Sequence, residues 1–424
     1  MSTESRPLGL WMATALVVGS MIGSGLFLLP ASMAQYGGAS LLGWGITLAG
    51  ALALAWTFSL LAKRWPQTGG PYVFARNAFG DAPGFFVAWS YWISIWCGNA
   101  AIAVAFAGSV GALFPAATAT PLRAAALALG GLWLCAGVNL IGVREAGRMQ
   151  LLLTILKFVP LLLFAGIAVW FVDADRFVPF NPSGESLPSA VNASVALALF
   201  ALCGVEVATV PAGAIDQPER TIPRATIIGT LLAGVVTVVA VTAVIGIVPA
   251  AQLKISTAPM ADAASMLWGP WAGVGIAVVA AISCLGALNG WVLMSAQIPF
   301  AAARDGLMPK PFTMLDKGGT PAFGLVASSL LASLLIAANF SRSLVALFTF
   351  SILLSTAAIL LPYLVDSAAW VWRGEHKGRF VAFFALAYSV YALIGTGAEA
   401  LAWGAVLLLA GLPVYLWMQR KAKA

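Results

Sequence analysis

Apolar runs long enough to cross a membrane recur along almost the whole chain, and this pattern restricts the fold more than any motif. A spanning helix needs about 20 mostly apolar residues, and twelve such runs lie between charged or Pro/Gly-rich breaks. They lie near residues 9–35, 39–62, 83–114, 122–140, 149–171, 190–214, 225–248, 268–302, 321–340, 344–370, 380–396 and 399–418. Only 9% of the 424 residues are charged, against about 25% in soluble domains. The sequence therefore predicts an all-α integral membrane protein of about twelve transmembrane helices.

The distribution of basic residues predicts how these helices are oriented. Of the 22 lysine and arginine residues, seventeen lie on the N-terminal side of the predicted membrane, four lie on the opposite side, and Lys157 lies within the fifth run. Basic loops remain in the cytoplasm, so both termini are expected there, with the protein a multi-pass component of the inner (plasma) membrane. The net charge of +7 is then a sign of topology and of contact with anionic lipids, not of nucleic-acid binding.

The first and sixth runs are interrupted in matching ways. The first contains three glycines and Pro30 in "GSMIGSGLFLLP", and the sixth contains Gly204, Glu206 and Pro211 in "LCGVEVATVP". Each glycine destabilises a helix by about 1 kcal/mol relative to alanine. Close helix packing on small residues is the alternative explanation. Paired interruptions at corresponding positions instead indicate a transporter with inverted repeats and a substrate site at the breaks.

This interpretation divides the chain into two sets of five helices. The predicted boundaries are an N-terminus at 1–8, a first repeat at 9–171, a second repeat at 190–370, two further helices at 380–418 and a C-terminus at 419–424. At the first break, the free N–H groups and positive dipole end of the second half-helix suit a carboxylate. At the second, carbonyl groups suit an ammonium group. Together the two breaks predict a site for an α-amino acid headgroup.

Several motifs carry a family resemblance that covers the chain from about Leu8 to the C-terminus. "GSMIGSGLFLLPA", "PQTGGPYVFARNAFG" and "GVE" followed by "DQPERTIPRA" resemble the amino acid–polyamine–organocation superfamily. "YWISIWCGNAAIAV" and "CLGALNGWVLMSAQ" are similar to its basic amino acid/polyamine antiporters, above all those that exchange arginine for agmatine. The resemblance implies ten helices in an inverted repeat plus two more, a homodimer, and exchange of a cationic amino acid for its decarboxylation product.

The resemblance also implies a role for individual residues. The substrate carboxylate is assigned to the backbone of Ile22, Gly23, Ser24 and Gly25, and the α-amino group to the carbonyls of Cys203 and Gly204. The substrate side chain is assigned to Asn99, to the aromatic platform of Trp291, to Phe200 and to Ser355. Tyr91 is implied in closing the site and Glu206 in the response to pH or in coupling.

Departures from the family pattern keep alternatives open. Phe200 stands where the family has tryptophan, and Ser94 and Ile95 replace an alanine and a cysteine. A smaller aromatic ring weakens the case for arginine in particular. Proton-coupled transport of neutral amino acids is therefore the second hypothesis. A membrane-embedded enzyme would need clustered catalytic residues, which the sequence lacks, and paired broken helices favour a carrier over a channel. Asn99 could instead join helices, and Glu206 could be a structural acid satisfied by backbone donors.

The remaining polar and sulfur-containing residues predict no cofactor and no metal. The four cysteines lie in apolar runs without CxxC spacing, and the lone histidine, His376, lies in a basic loop. Lys157 is expected to extend toward the membrane boundary. Asp366 is interpreted as a residue at a helix end.

Overall fold

The computed structural model describes residues 8–141, 159–212, 215–316 and 319–423, so that Lys157 and the basic residues Arg144 and Arg148 lie outside the described part. The first half contains α1 (Leu10–Met21), α2 (Ser24–Met33), α3 (Ala39–Arg64), α4 (Pro71–Phe79), α5 (Asp81–Leu113), α6 (Pro121–Ile141) and α7 (Val159–Phe171). The second contains α8 (Leu187–Leu202), α9 (Pro218–Ile247), α10 (Ala250–Leu253), α11 (Pro259–Trp268), α12 (Pro270–Arg304), α13 (Ala322–Ala338), α14 (Leu344–Arg373), α15 (Arg379–Gly395), α16 (Gly397–Leu409) and α17 (Gly411–Lys423).

These helices confirm the predicted fold class. Eight helical segments of the described chain are long and apolar enough to span a membrane, and α1 with α2 forms a ninth, bent span. The shorter apolar helices α7, α13 and α15 bring the set to about twelve. Apart from one isolated β-bridge between Leu8 and Ile215, the described residues form helices, turns and loops.

Helix α5 lies at the centre of the bundle. Of its most apolar stretch, 89% is buried, whereas only 6% is buried in the last span, Gly397–Arg420. Alanine, glycine and serine are frequent along α5, and small residues let neighbouring helices approach closely. The long helices α12 and α14 pack against it and bring their side chains to the middle of the molecule.

Asp366 does not lie at a helix end, so that part of the sequence interpretation is wrong. Helix α14 continues beyond it to Arg373, and the Asp366 side chain is fully buried. The polar and aromatic residues that follow Asp366 did not end the helix, because the surrounding helices bury this stretch and tertiary packing overrides local preference.

Candidate functional site

The first span breaks where its glycines predict. Helix α1 ends at Met21, Ile22 adopts an extended conformation, and α2 begins at Ser24 with Gly25 in its first turn. The two helix axes differ by 40°. The first N–H groups of a helix have no partner within the helix, so those of α2 are available to an anionic group beside Gly23.

The sixth span breaks at the expected glycine as well. Helix α8 ends at Leu202, Cys203 is extended, and Gly204 has a φ of +111°. Side chains other than glycine rarely adopt this conformation. The chain then passes through Glu206 into a short 3₁₀ turn at Val207–Thr209 and forms no second α-helical half within the described residues of this span.

The two breaks lie next to each other in space. A Cβ atom added to Gly204 would lie 2.7 Å from the Ser20 hydroxyl at the end of α1. The indole N–H of Trp291 on α12 donates a hydrogen bond of 3.2 Å to the Ser20 carbonyl. A Cβ on Gly23 would lie 2.9 Å from the Cβ of Ala287, also on α12. Helix α12 thus closes one side of the space between the breaks.

A cavity with about 500 Å³ of empty volume occupies this space. Six of its lining residues were predicted from the sequence to bind or enclose substrate, and these are Gly23, Tyr91, Phe200, Cys203, Trp291 and Ser355. Glu206, predicted for pH response, also lines it. The remaining lining residues are Ser20, Met21, Ser94, Ile95, Gly98, Ile102, Ala287 and Ile359. Binding sites for small molecules are commonly apolar for the most part with a few polar groups, and this lining has that composition.

Glu206 carries the one formal charge among the described lining residues, and two tyrosines hold it. The Tyr91 hydroxyl donates to its Oε1 and the Tyr363 hydroxyl to its Oε2, each at 2.7 Å. All three side chains are buried. Hydrogen bonds to a charged group are about twice as strong as neutral ones, so this network stabilises a carboxylate in the membrane interior, where an isolated one is costly.

Tyr363 was missed by the sequence interpretation. It follows Pro362 in the middle of the apolar run that became α14. A tyrosine deep in such a run needs a partner for its hydroxyl, and this requirement is the signal that could have identified it.

Asn99 and Ser355, both predicted to contact the substrate side chain, occupy different environments. Ser355 lines the cavity, and its hydroxyl donates to the Ser94 carbonyl at 2.7 Å. Asn99 is buried and lies outside the described cavity lining, and its Oδ1 has no hydrogen-bond partner among the residues that the structure describes. Gly98 occupies the cavity wall on this turn of α5. The substrate contact of Asn99 stays a prediction.

Comparison with known proteins places the chain in a family. The model of the amino acid permease family matches residues 8–417. The chain belongs to this family. The permease is 30% identical to the putrescine transporter PotE of Escherichia coli strain K12 over 97% of its own length and 96% of that protein. It is 33% identical to the cadaverine/lysine antiporter of the same strain over 77% of its own length and 73% of that protein.

A third relative extends the match over nearly the full length of both proteins. The permease is 30% identical to PotE of Haemophilus influenzae over 99% of each chain. The family and these relatives are transporters and not enzymes, which confirms the family resemblance seen in the sequence and excludes the membrane-embedded enzyme. Within the described residues of the permease, no three His, Cys, Asp or Glu side chains are grouped as a metal site requires.

Proposed function

We propose that this permease exchanges a cationic amino acid for its decarboxylated amine across the inner membrane by alternating access, with arginine and agmatine as the pair. The observation that carries this proposal is the Glu206 carboxylate, which lines a cavity between two broken helices. A buried acid complements an ammonium or guanidinium group. The relatives named for putrescine and for cadaverine and lysine support the same chemical class.

The substrate headgroup would lie between the two breaks. Its carboxylate would accept hydrogen bonds from the backbone of Ile22–Gly25 at the start of α2. Its ammonium group would donate to the carbonyls of Cys203 and Gly204. A decarboxylated amine lacks the first of these groups, so the site would hold the two partners of the exchange by the features they share.

The substrate side chain would extend along the aromatic part of the cavity. Trp291 offers the best face for a cation–π contact, worth about 2 kcal/mol or more when desolvated. Phe200 lies on the same cavity, with Ser355 near it. Asn99 would reach the substrate only after a rearrangement of α5. Tyr91 would close the site through its hydrogen bond to Glu206, and Glu206 would respond to pH or couple transport to it.

Transport by purified protein in liposomes tests this function. Liposomes loaded with agmatine or arginine should accumulate labelled arginine, whereas empty liposomes should not, because exchange requires a counter-substrate. Equal uptake into empty liposomes would contradict exchange. Trp291→Leu should weaken the apparent affinity for arginine by about thirtyfold, since about 2 kcal/mol of cation–π energy is lost. Trp271→Leu, at an exposed tryptophan of α12, is the matched control.

A second candidate function follows from the rest of the lining. Met21, Ile95, Ile102, Phe200 and Ile359 make much of the cavity wall apolar, which suits proton-coupled transport of a neutral amino acid. Unlabelled competitors separate the two candidates. Arginine, ornithine, lysine and putrescine should compete with labelled arginine under the first proposal, whereas competition by methionine alone would favour the second.

The orientation and assembly of the protein belong to the same proposal. We place both termini in the cytoplasm, as the distribution of basic residues predicts. We further propose a homodimer in contact with membrane lipids, as the family resemblance implies. The last span supports such an assembly, because it leaves Trp403, Val406, Leu409 and Leu412 exposed on the outside of the bundle.

A further inference from the structure

Helix α14 carries a second buried carboxylate beyond the cavity. Ser355 and Ile359 line the cavity, Tyr363 donates to Glu206, and Asp366 follows on the next turn. At 1.5 Å per residue, Asp366 lies about 10 Å along the axis from Ile359. Residues three apart share a helix face. Asp366 therefore lies on the same side of α14 as Tyr363, toward the C-terminal end of this helix.

Both carboxylate oxygens of Asp366 lack a hydrogen-bond partner among the described residues. Its side chain is fully buried, and Tyr363, three residues earlier on α14, holds the other buried acid, Glu206, at 2.7 Å. An ionised carboxylate that is buried, unpaired and beside another acid is strongly disfavoured, and such a group is neutralised by a proton or a bound cation.

Charged groups on the helices packed against α14 lie at both of its ends, since Arg64 donates to the Arg373 carbonyl and Glu399 pairs with Arg342 just before the helix begins. The titratable or charged side chains on the helices packed against α14 are Lys63 and Arg64 on α3, Tyr72 and Arg76 on α4, Asp81, Tyr91 and Cys97 on α5, Arg379, Tyr388 and Tyr391 on α15, and Glu399 on α16. Lys63, Arg64 and Glu399 are exposed, and Arg76 pairs with Asp81 at 2.7 Å. The ion pairs found in the described part of the chain do not include Asp366.

Helix α4 covers this part of α14. Phe58 of α3 lies between α4 and α14. Its ring centroid is 6.4 Å from that of Phe74 on α4 and 5.6 Å from that of Tyr363 on α14. Nearer the end of α14, Phe79 of α4 packs edge-on against Trp372 at 6.5 Å. Asp366 lies along α14 between these two aromatic contacts. Helices α3 and α4 thus both pack along the stretch of α14 that contains Asp366.

Polar contacts hold α4 in this covering position. The Tyr72 hydroxyl donates to Asp305, just beyond the end of α12, at 3.0 Å, and Arg76 lies 3.9 Å from the same carboxylate. Burial raises the pKa of the Tyr72 hydroxyl, and the negative charge of Asp305 raises it further. Tyr72 therefore remains a hydrogen-bond donor at neutral pH and keeps α4 attached to α12.

We propose that Asp366 is a proton-binding site of the transport cycle. It holds a proton while α4 is closed, that is, packed on α14, and it releases this proton to water when α4 opens away from α14 toward the side of the membrane that holds the chain termini. On release, the O–H bond of the carboxylic acid breaks, the proton passes to water and the carboxylate remains hydrated. Once α4 has closed again, a proton from the cavity side restores the acid, so that one proton crosses the membrane in each cycle. This inference rests on the proposed transport function, and it adds a proton to the exchange that Glu206 and the cavity perform.

Infrared absorption of the purified full-length protein tests the protonation directly. A protonated carboxylic acid has a C=O band that shifts in D₂O. The wild type and the Glu375→Gln variant, which changes an exposed acid, should show equal bands, and Asp366→Asn should lose part of this intensity. Glu206→Gln, measured alongside, accounts for the second buried acid. An unchanged band in Asp366→Asn, or a band that sodium removes from the wild type, would overturn the proposal.

Proton movement during transport is the second measurement. A pH-sensitive dye inside liposomes should report a substrate-driven pH change with wild type, and this change should be lost in Asp366→Asn while substrate exchange continues. An equal pH change in both proteins would overturn the role of Asp366. Absence of exchange of any cationic amino acid or amine by the wild type would instead contradict the proposed function.

A chemical probe keeps the test valid if Asp366→Asn does not fold. An apolar carbodiimide reacts with protonated carboxyl groups in membrane interiors, and peptide mass spectrometry locates the product. During turnover, we expect the wild type to be labelled at Asp366, and more at acidic pH. Absence of label at Asp366 at every pH tested would overturn the proposal.

Discussion

Glu206 shows how a single residue can be both costly and useful in a membrane. Its carboxylate is fully buried and is stabilised by one tyrosine from α5 and one from α14. Both helices contribute to the cavity wall, so the two hydrogen bonds join the elements that must separate if the cavity opens on this side. The same contacts that stabilise the charge therefore stabilise the closed arrangement.

Tyr363→Phe tests this role at the residue scale. The variant leaves one oxygen of a buried carboxylate without its donor, at a cost of about 1.5–3 kcal/mol for a hydrogen bond to a charged group. We expect a lower apparent melting temperature in detergent and a roughly tenfold change in exchange rate in liposomes. Tyr391→Phe, which changes a partly buried tyrosine outside the cavity lining, should alter neither quantity. Equal behaviour of the two variants would contradict the role given to Tyr363.

The broken spans are the elements that make the site possible. An unbroken helix satisfies its own N–H and C=O groups, and the membrane interior offers no water to unpaired ones. Breaks at Gly23 and Gly204 therefore persist only where protein or substrate supplies partners. Here the end of α1 lies within contact distance of Gly204, and α12 lies within contact distance of Gly23 and of the end of α1.

Gly23→Ala tests the contact between the first break and α12. The new Cβ would lie 2.9 Å from the Cβ of Ala287, and such overpacking destabilises by about 1–3 kcal/mol. We expect a lower melting temperature and slower exchange, with partial recovery in the double variant Gly23→Ala/Ala287→Gly. Gly275→Ala, where an added Cβ meets open space on α12, is the control. Failure of Ala287→Gly to restore any stability would show that another contact controls this break.

At the scale of the whole molecule, burial falls from the central α5 to the exposed last span. This gradient places the site at the middle of the bundle and leaves the last span free to face lipid or a second subunit. The orientation that we propose for the molecule across the membrane rests on its basic loops.

Single cysteines at exposed loop residues test that orientation. Lys377→Cys should react with a membrane-impermeant thiol reagent only from the cytoplasmic side, and Lys254→Cys only from the opposite side. The native cysteines Cys97, Cys135 and Cys284 are buried, and Cys203 is partly buried, so the unsubstituted protein supplies the background. Labelling of Lys377→Cys in intact cells would reverse the proposed topology.

Most of the fold and about half of the site geometry could be predicted from the sequence. The length of each apolar run identifies the membrane-spanning helices, because a bilayer of fixed thickness requires helices of about 20 apolar residues. Glycine and proline identify breaks, because they weaken a helix locally. Both signals act within one segment of chain, so they need no knowledge of neighbours.

The sequence by itself determined the class of molecule, the two breaks and the presence of an acid, Glu206, at one of them. Only the tertiary structure decided what each polar side chain meets. Tyr363 comes to Glu206 from 157 residues away, Asn99 lies outside the described cavity lining, and Asp366 is buried without a hydrogen-bond partner in the described structure rather than at a helix end. Hydrogen bonding and burial depend on which helices pack together, and no local pattern in an apolar run encodes that choice.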